Sequence, residues 1–229
     1  MSNDASFTRY IHEKVSSVKK LSGWAMRTFK TRARTPMLTL WKALLQCHVD
    51  YCSQLWSPAK KGEILALEDL QRCFINKMEG MREMNYWQQL ASLKLYSLER
   101  RRERYAILYT WRILEGLSPN LDSTPISASW HPRRGRECSI PRLATTPPSY
   151  IQTLRFSSFA FRGPRLFNTM PREVRNLTGC SLDHFKQAVD RALARIPDEP
   201  HAPGLTQRRA EGNSLLQQTA QALRGSDAP

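Results

Sequence analysis

The stretch TPMLTLWKALLQCHVDYCSQLWSP, which runs from Thr35 to Pro58, predicts a helical fold for this chain. Thr35-Pro36 is a helix-start signal, because a hydroxyl side chain can cap the first turn and proline suits the first helical position. The apolar residues that follow recur three or four positions apart, as they do on one face of an α-helix. The residues expected on that inner face are Leu38, Trp41, Leu45, His48, Cys52 and Leu55. The helix is expected to end at Ser57-Pro58.

Helical spacing continues before this stretch. Apolar residues from Phe7 to Ala25 predict a helix, with Asp4 or Ser6 as its N-terminal cap. Gly23 is expected to end or bend this helix, because glycine weakens a helix interior.

Three further helices are expected between Gly62 and Gly116, with Asn85 capping the second and Ser97 opening the third. The inward residues expected on the first of them are Ile64, Leu67, Leu70, Cys73, Phe74 and Met78. A last amphipathic helix is expected to begin after Ser181. Its expected inward residues are Leu182, Phe185, Val189, Leu193 and Ile196.

These patterns predict a mainly α fold in five parts. Prolines gather between Ser118 and Tyr150, which indicates an irregular connection between helical parts. The expected parts are a helical bundle over residues 1–81, a helical segment over 82–117, a Pro/Arg-rich linker over 118–150, a second small helical unit over 151–196, and a flexible, disordered tail over 197–229.

The chain carries a large excess of positive charge. Its 229 residues include 35 Lys and Arg against 20 Asp and Glu, which gives a net charge of +15. A surplus of this size favours a polyanionic partner, and nucleic acid, RNA or DNA, is the usual one. A basic surface that binds only nonspecifically is the alternative.

Three groups of basic residues are candidates for phosphate contacts, because Arg and Lys both bind phosphate and Arg does so bidentately. The run ERRRERY, Glu99 to Tyr105, is more typical of a solvated helix face. A phosphate-binding face is the alternative interpretation. Between Arg133 and Arg175, nine Arg stand against two Glu. The candidates are Lys19, Lys20, Arg27, Lys30, Arg32 and Arg34 near the start, Arg100 and Arg101 in the run, and Arg133, Arg134, Arg136, Arg162 and Arg165 further on.

The segment SFAFRGPRLFNTMPREVR, Ser158 to Arg175, alternates apolar and basic residues. Phe159, Phe161 and Phe167 stand among aliphatic neighbours, so burial is expected for each. The arginines are expected to reach solvent. The segment is therefore predicted to be a packing seam on its inner side and a basic surface on its outer side.

No catalytic constellation is recognisable in the sequence. Paired carboxylates for a two-metal polymerase site, a Gly-rich phosphate loop and a Gly-x-Ser-x-Gly nucleophile are all missing from it. Cys47, His48 and Cys52 bring three soft donors onto nearby turns, but a structural zinc site takes four ligands. Core thiols and a core histidine are therefore expected there, and we expect no enzymatic activity, no metal and no cofactor.

The cysteine count predicts the compartment. Five cysteines, with no leader peptide recognised before them, favour a reducing, intracellular environment, nuclear or cytoplasmic. No run of about 18 apolar residues occurs, so no membrane span is expected.

Three phrases, in this order, resemble the region after the polymerase palm in reverse transcriptases of jockey/CR1-type non-LTR retrotransposons. The first is TPMLTLWKALLQCHVDYCSQLWSPAKKGEILALEDLQRCF, with Tyr-x-x-x-x-Trp-Ser-Pro at Tyr51–Pro58 and Leu-Glu-x-x-Gln-Arg at Leu67–Arg72. The second is LASLKLYSLERRRERYAILYTWRILEGL, and the third joins FRGPRLFNTMPREVRN to SLDHFKQAVDRAL. The likeness covers Met1 to about Ile196.

The resemblance implies that residues 1–81 correspond to the thumb, a helical unit that holds primer and template. The following residues would correspond to a basic post-thumb region that contacts template RNA or target DNA. The endonuclease, the fingers and the palm with its metal-binding aspartates have no counterpart in the sequence. The resemblance therefore implies a non-catalytic remnant of an RNA-directed DNA polymerase, derived from a transposable element.

We expect this remnant to bind RNA or DNA, as a primer–template-like duplex, without strong sequence preference. One alternative is a protein-interaction module, which would bind a protein partner or self-associate through apolar surface that the missing palm once covered. Another is an expressed open reading frame with no selected function.

Overall fold

The structure is a computed structural model that describes residues 7–58, 60–119, 158–199 and 213–219. These residues are mainly helical, as predicted, and no strand occurs among them. The chain divides into two compact units, Met1–Arg102 and Glu103–Pro229. Nearly all of the predicted linker over residues 118–150 lies outside the described residues.

The described helices of the first unit are α1 (Thr8–Thr28), α2 (Arg34–Leu40), α3 (Gln46–Asp50), α4 (Ser53–Trp56), α5 (Lys61–Ile75), α6 (Tyr86–Leu93) and the start of α7 (Leu98–Leu114). A π-helical turn, Trp41–Leu45, joins α2 to α3. Those of the second unit are the rest of α7, then α8 (Phe159–Asn168), α9 (Arg172–Arg175) and α10 (Leu182–Leu193). Residues 215–219 add one more helical turn.

Helix α1 is longer than the sequence predicts. Its inner face buries Ile11, Val15, Val18 and Ala25, which confirms the expected period. Gly23 does not end α1, because the helix continues to Thr28. A glycine costs about 1 kcal/mol in a helix interior, which buried contacts on both sides of it outweigh. The predicted caps Asp4 and Ser6 lie outside the described residues.

The stretch from Thr35 to Pro58 is not one regular helix, and half of its predicted inner face is wrong. Trp41 and Leu45 are buried as expected, but His48, Cys52 and Leu55 are exposed. The buried residues of the stretch are instead Met37, Trp41, Leu45, Gln46, Val49, Ser53, Trp56 and Pro58.

The π-helical turn explains the shifted face. A π-helical turn holds more residues than an α-helical turn, so residues four positions apart, such as Trp41 and Leu45, stay on the same side of the helix. In a regular α-helix of 3.6 residues per turn, residues repeated every four positions would drift away from that side. Cys52 then adopts a left-handed backbone, with φ of 51°, which separates α3 from α4. The helix also begins at Arg34, one residue before the predicted start signal, without a side-chain cap.

The core of the first unit joins α1, α5 and the segment from α2 to α3. Trp41 and Phe74 pack with ring centroids 5.4 Å apart. Leu67, Leu70, Phe74 and Met78 are buried as predicted, whereas the prediction that Cys73 faces inward is wrong, because it is exposed. The core continues to Leu90 and Leu98, so residues on both sides of position 81 share it.

Three predicted caps are confirmed, whereas the prediction that Thr35 is a cap is wrong, because it lies inside α2, which has no side-chain cap. Asn85 Oδ1 accepts from the Gln88 N–H at 2.9 Å, and Gln88 Oε1 accepts from the Asn85 N–H at 3.1 Å, which completes a capping box. Ser97 Oγ accepts from the Arg100 N–H at 3.1 Å, and Ser181 Oγ accepts from the His184 N–H at 3.2 Å.

The second unit packs α7, α8 and α10 together. Trp111 and Phe185 stack with centroids 4.4 Å apart and planes 10° apart. Phe161 and Phe167 are buried, as expected for a packing seam, and Phe159 is half-buried against Tyr109.

Residues 214 and 215, which fall in the segment predicted as a tail, pack against α7 within the second unit. Leu215 is fully buried, and its N–H donates to Glu103 Oε2 at 2.9 Å. Ser214 Oγ donates to the other carboxylate oxygen of Glu103 at 2.6 Å. Glu103 therefore anchors residues 214–215 to α7.

Candidate nucleic-acid interface

The positive charge of the described residues is concentrated at the start of the chain. Residues 7–34 carry eight Lys and Arg against one Glu. In the second unit, the described residues carry nine Lys and Arg against seven Asp and Glu, which leaves that unit nearly neutral. The strongest electrostatic attraction for a polyanion is therefore expected at α1 and the turn that follows it.

Helix α1 turns part of this charge away from the core. At about 100° per residue, Lys20 lies opposite Ile11, and Arg27 lies about 20° from Lys20. Lys19, Lys20, Arg27 and Lys30 are exposed, and none of them has an acidic partner among the described residues. We call these four residues the α1 basic surface.

Two neighbouring candidates serve the fold instead. Arg32 Nη1 donates to the Phe29 carbonyl at 2.6 Å, and its Nη2 donates to the Met26 carbonyl at 3.0 Å. These bonds satisfy carbonyls that the end of α1 leaves open. Arg34 Nε donates to the Glu79 carbonyl at 3.2 Å, although the residue as a whole stays exposed.

The prediction that the run ERRRERY forms a solvated helix face is wrong. Arg100, Arg102 and Glu103 are buried, and Arg100 has no exposed surface at all. A side chain with no solvent contact cannot reach a phosphate, so Arg100 is not a surface candidate in this structure. Arg101 is half-buried, and its Nε forms an ion pair with Asp50 Oδ2 at 2.8 Å.

Buried acceptors explain why α7 begins inside the fold. Glu68 Oε1 accepts from the Glu99 N–H at 2.7 Å, and its Oε2 accepts from the Tyr86 hydroxyl at 2.7 Å. A carboxylate at a helix N-terminus meets open N–H groups and the positive end of the dipole. Burial nevertheless raises the pKa of Glu68 above its ordinary value of 4.5, against the lowering effects of these hydrogen bonds and of nearby Arg102.

The candidates in the second unit are less accessible than those of α1. Arg162 and Arg165 are half-buried. The Arg165 guanidinium lies 5.0 Å from the centroid of the buried Phe161 ring, a cation–π arrangement. Arg133, Arg134 and Arg136 lie outside the described residues.

The structure adds two aromatic residues that the sequence reasoning missed. Trp24 is 46% exposed and Phe29 is 37% exposed, and both lie beside the α1 basic surface. Lys20 is four residues before Trp24 and Arg27 three residues after it, so both are its neighbours on the helix surface. The helical spacing could have shown this, because Trp24 falls outside the period of the buried residues.

The expectation of core thiols and a core histidine is wrong. Cys47, His48 and Cys52 are all exposed. No cluster of three or more His, Cys, Asp or Glu side chains that could hold a metal ion occurs within the described residues. Asp50 accepts from Gln46 Nε2 at 3.1 Å and pairs with Arg101.

Several residues in the sequence phrases that resemble the reverse transcriptase family form internal contacts in the first unit. Trp56 is buried, and its Nε1 donates to the Tyr51 carbonyl at 2.7 Å. Gln71 Nε2 donates to the Tyr96 carbonyl at 3.1 Å, and Glu68 holds the start of α7. These side chains position the helices of the first unit.

Comparison of the chain with protein-family models, with curated proteins and with solved structures gives no match. None of the described helices is both long enough and apolar enough to cross a lipid bilayer.

Proposed function

We propose that this chain binds nucleic acid without strong sequence preference and without catalysing a reaction on it. The observation that supports the proposal is the α1 basic surface, four exposed cations that have no acidic partner among the described residues. Such a surface attracts phosphates through counterion release, which does not depend on sequence.

The origin we propose is the thumb and post-thumb part of a non-LTR retrotransposon reverse transcriptase. The three sequence phrases support it, because they occur in the same order as in that region of those enzymes. In this proposal the thumb-like first unit retains the grip on nucleic acid, and polymerase activity belongs to a palm that this sequence does not contain.

Binding to a labelled RNA–DNA hybrid duplex, with single-stranded RNA alongside, tests the proposal across a salt series. Four phosphate contacts would give a slope of log affinity against log salt of about −3.6 on a duplex and about −2.8 on a single strand. Micromolar or tighter binding with such a slope is the expected result. Weak binding that is insensitive to salt would contradict it.

A second candidate function is a protein-interaction module. Tyr51 and Leu55, on either side of Cys52, are each 68% exposed. Apolar side chains this exposed favour a contact with another protein or a second copy of the chain. Sedimentation of the purified chain at low and high salt tests self-association, which apolar burial would preserve at high salt and which Leu55→Asp would abolish.

A further inference from the structure

Trp24 and Phe29 form an exposed aromatic pair at the end of α1. Their ring centroids lie 6.4 Å apart and their planes are nearly perpendicular, at 88°. Trp24 is 46% exposed and Phe29 is 37% exposed, so both rings keep surface open to solvent. Exposed ring faces of this kind are available to stack on a planar ligand.

The turn that carries the pair is held in place. The Phe29 N–H donates to the Ala25 carbonyl at 2.9 Å, and Arg32 donates to the carbonyls of Phe29 and Met26. Arg32 is therefore a positioning residue for Phe29. A ring held in this way loses less conformational freedom when a ligand stacks on it.

The charges around the pair define the chemistry of its partner. Lys20 and Arg27 flank Trp24 on the same side of α1, and Lys30 follows Phe29 directly. A purely apolar protein surface would leave these cations without counter-charges. A strand of nucleic acid provides both components at once, a planar base for a ring and phosphates for the cations.

We propose that Trp24 and Phe29 form a stacking site for unpaired bases, so that the chain prefers single-stranded segments of RNA or DNA to continuous duplex. In a duplex the faces of the bases are occupied by their neighbours, whereas in a single strand they are available to aromatic side chains. This inference rests on the proposed function, since the α1 basic surface supplies the attraction to the backbone, and it adds the form of nucleic acid that is bound.

A comparison of three labelled DNA ligands tests the stacking site on the full chain. They are a short single strand, an abasic strand of equal length with the same phosphates, and a duplex of the same length. Stacking of one base is worth at least about 1 kcal/mol, which corresponds to about fivefold in affinity. We expect the wild-type chain to bind the base-containing strand at least about fivefold more tightly than the abasic strand, and more tightly than the duplex. Tighter binding of the duplex than of the base-containing strand would overturn the proposed preference.

Matched variants locate the effect. Trp24→Ala is expected to remove the difference between the two strands and to leave abasic binding unchanged. Phe29→Leu, which keeps apolar volume but removes the ring, is expected to reduce the difference. Tyr51→Ala, which removes an exposed aromatic group next to Asp50, is expected to leave it intact. Thermal unfolding of each variant checks that the fold is retained.

The outcomes separate this inference from the proposed function. Equal, salt-sensitive binding of the base-containing and abasic strands by the wild-type chain overturns the stacking site and leaves the proposed function standing. Equal weakening of both strands by Trp24→Ala also overturns it, because the residue then acts through the fold. Binding of none of the three ligands overturns the proposed function, and the stacking site with it.

Discussion

Gly163 in α8 is a residue whose identity is fixed by the space around it. A Cβ atom at this position would lie 2.6 Å from Thr110 Oγ1 and 3.0 Å from a ring carbon of Phe159. Both distances are shorter than ordinary contacts, and the hydroxyl of Thr110 is already bonded to the Ala106 carbonyl. The two helices α7 and α8 can approach this closely only because residue 163 has no side chain.

We expect Gly163→Ala to lower the free energy of unfolding by about 1–3 kcal/mol, because a methyl group would overpack this contact. Gly62→Ala is the matched control, since nothing lies within 4 Å of its added Cβ. That control is expected to be neutral or to stabilise by up to about 1 kcal/mol. Urea denaturation measures both, and equal stability of the two variants would argue against the close helix contact.

Asp50 and Arg101 form an ion pair between α3 and α7 that is largely shielded from water. The side chains are 16% and 24% exposed. We expect Asp50→Asn to cost about 1–3 kcal/mol of unfolding free energy, because it removes the negative charge that accepts from a partly buried guanidinium. Glu13→Gln, which breaks the exposed Arg9–Glu13 pair, is expected to leave the free energy of unfolding nearly unchanged, because water screens such a pair. Similar losses in both variants would refute this ranking.

At the scale of elements, α7 depends on acceptors that come from distant parts of the chain. Asp50 accepts from Arg101, which lies 51 positions later in the sequence. Glu68 accepts from the Glu99 N–H, which lies 31 positions later. Local periodicity predicts the helix itself but not that its charged start is buried. The predicted caps at Asn85 and Ser181 were confirmed because their partners lie three residues away.

The buried carboxyl of Glu68 makes a prediction about pH. Its pKa is raised mainly by burial, so the folded chain binds this proton more tightly than the unfolded chain does. The contribution of Glu68 to stability is therefore full below its ordinary pKa of 4.5 and is lost as pH rises through its raised value.

A glutamine at position 68 cannot ionise. The Glu68→Gln variant should therefore lack the fall in unfolding free energy that ionisation of Glu68 causes as pH rises above 4.5. Denaturation at a series of acidic to neutral pH values measures the difference, with Glu13→Gln as an exposed carboxyl control. Parallel profiles for the wild type and Glu68→Gln would show that the raised pKa is incorrect.

The π-helical turn and the left-handed Cys52 mark where sequence reasoning reached its limit at this scale. Regular helical spacing assigned His48, Cys52 and Leu55 to the core, and the structure places all three at the surface. Leu55, at 68% exposed, shows that hydrophobicity alone did not decide the face. Trp41 and Leu45 keep their predicted side, and the face departs from prediction only beyond the π-helical turn, a feature that regular spacing does not contain.

At the scale of the whole molecule, the net charge of +15 was visible in the sequence, but its distribution was not. Arg32, Arg100 and Arg101 are engaged within the fold, so their charge adds little to an outer surface. The α1 basic surface keeps its four cations exposed. The sequence named the four cations Lys19, Lys20, Arg27 and Lys30, and helical spacing already sets Trp24 apart from the buried residues of α1. The exposure of Phe29, beyond the end of the helix, came only from the structure.

The most direct measurement compares two variants that each remove two positive charges. Lys20→Gln with Arg27→Gln alters the α1 basic surface, and Lys42→Gln with Lys94→Gln alters exposed lysines elsewhere in the first unit. Both are titrated with the RNA–DNA hybrid across a salt series. Loss of two phosphate contacts would reduce the magnitude of the salt slope by about 1.8. We predict this loss for the α1 variant and little change for its control. Equal losses in both would contradict a defined interface on α1, because net charge alone would then explain the binding.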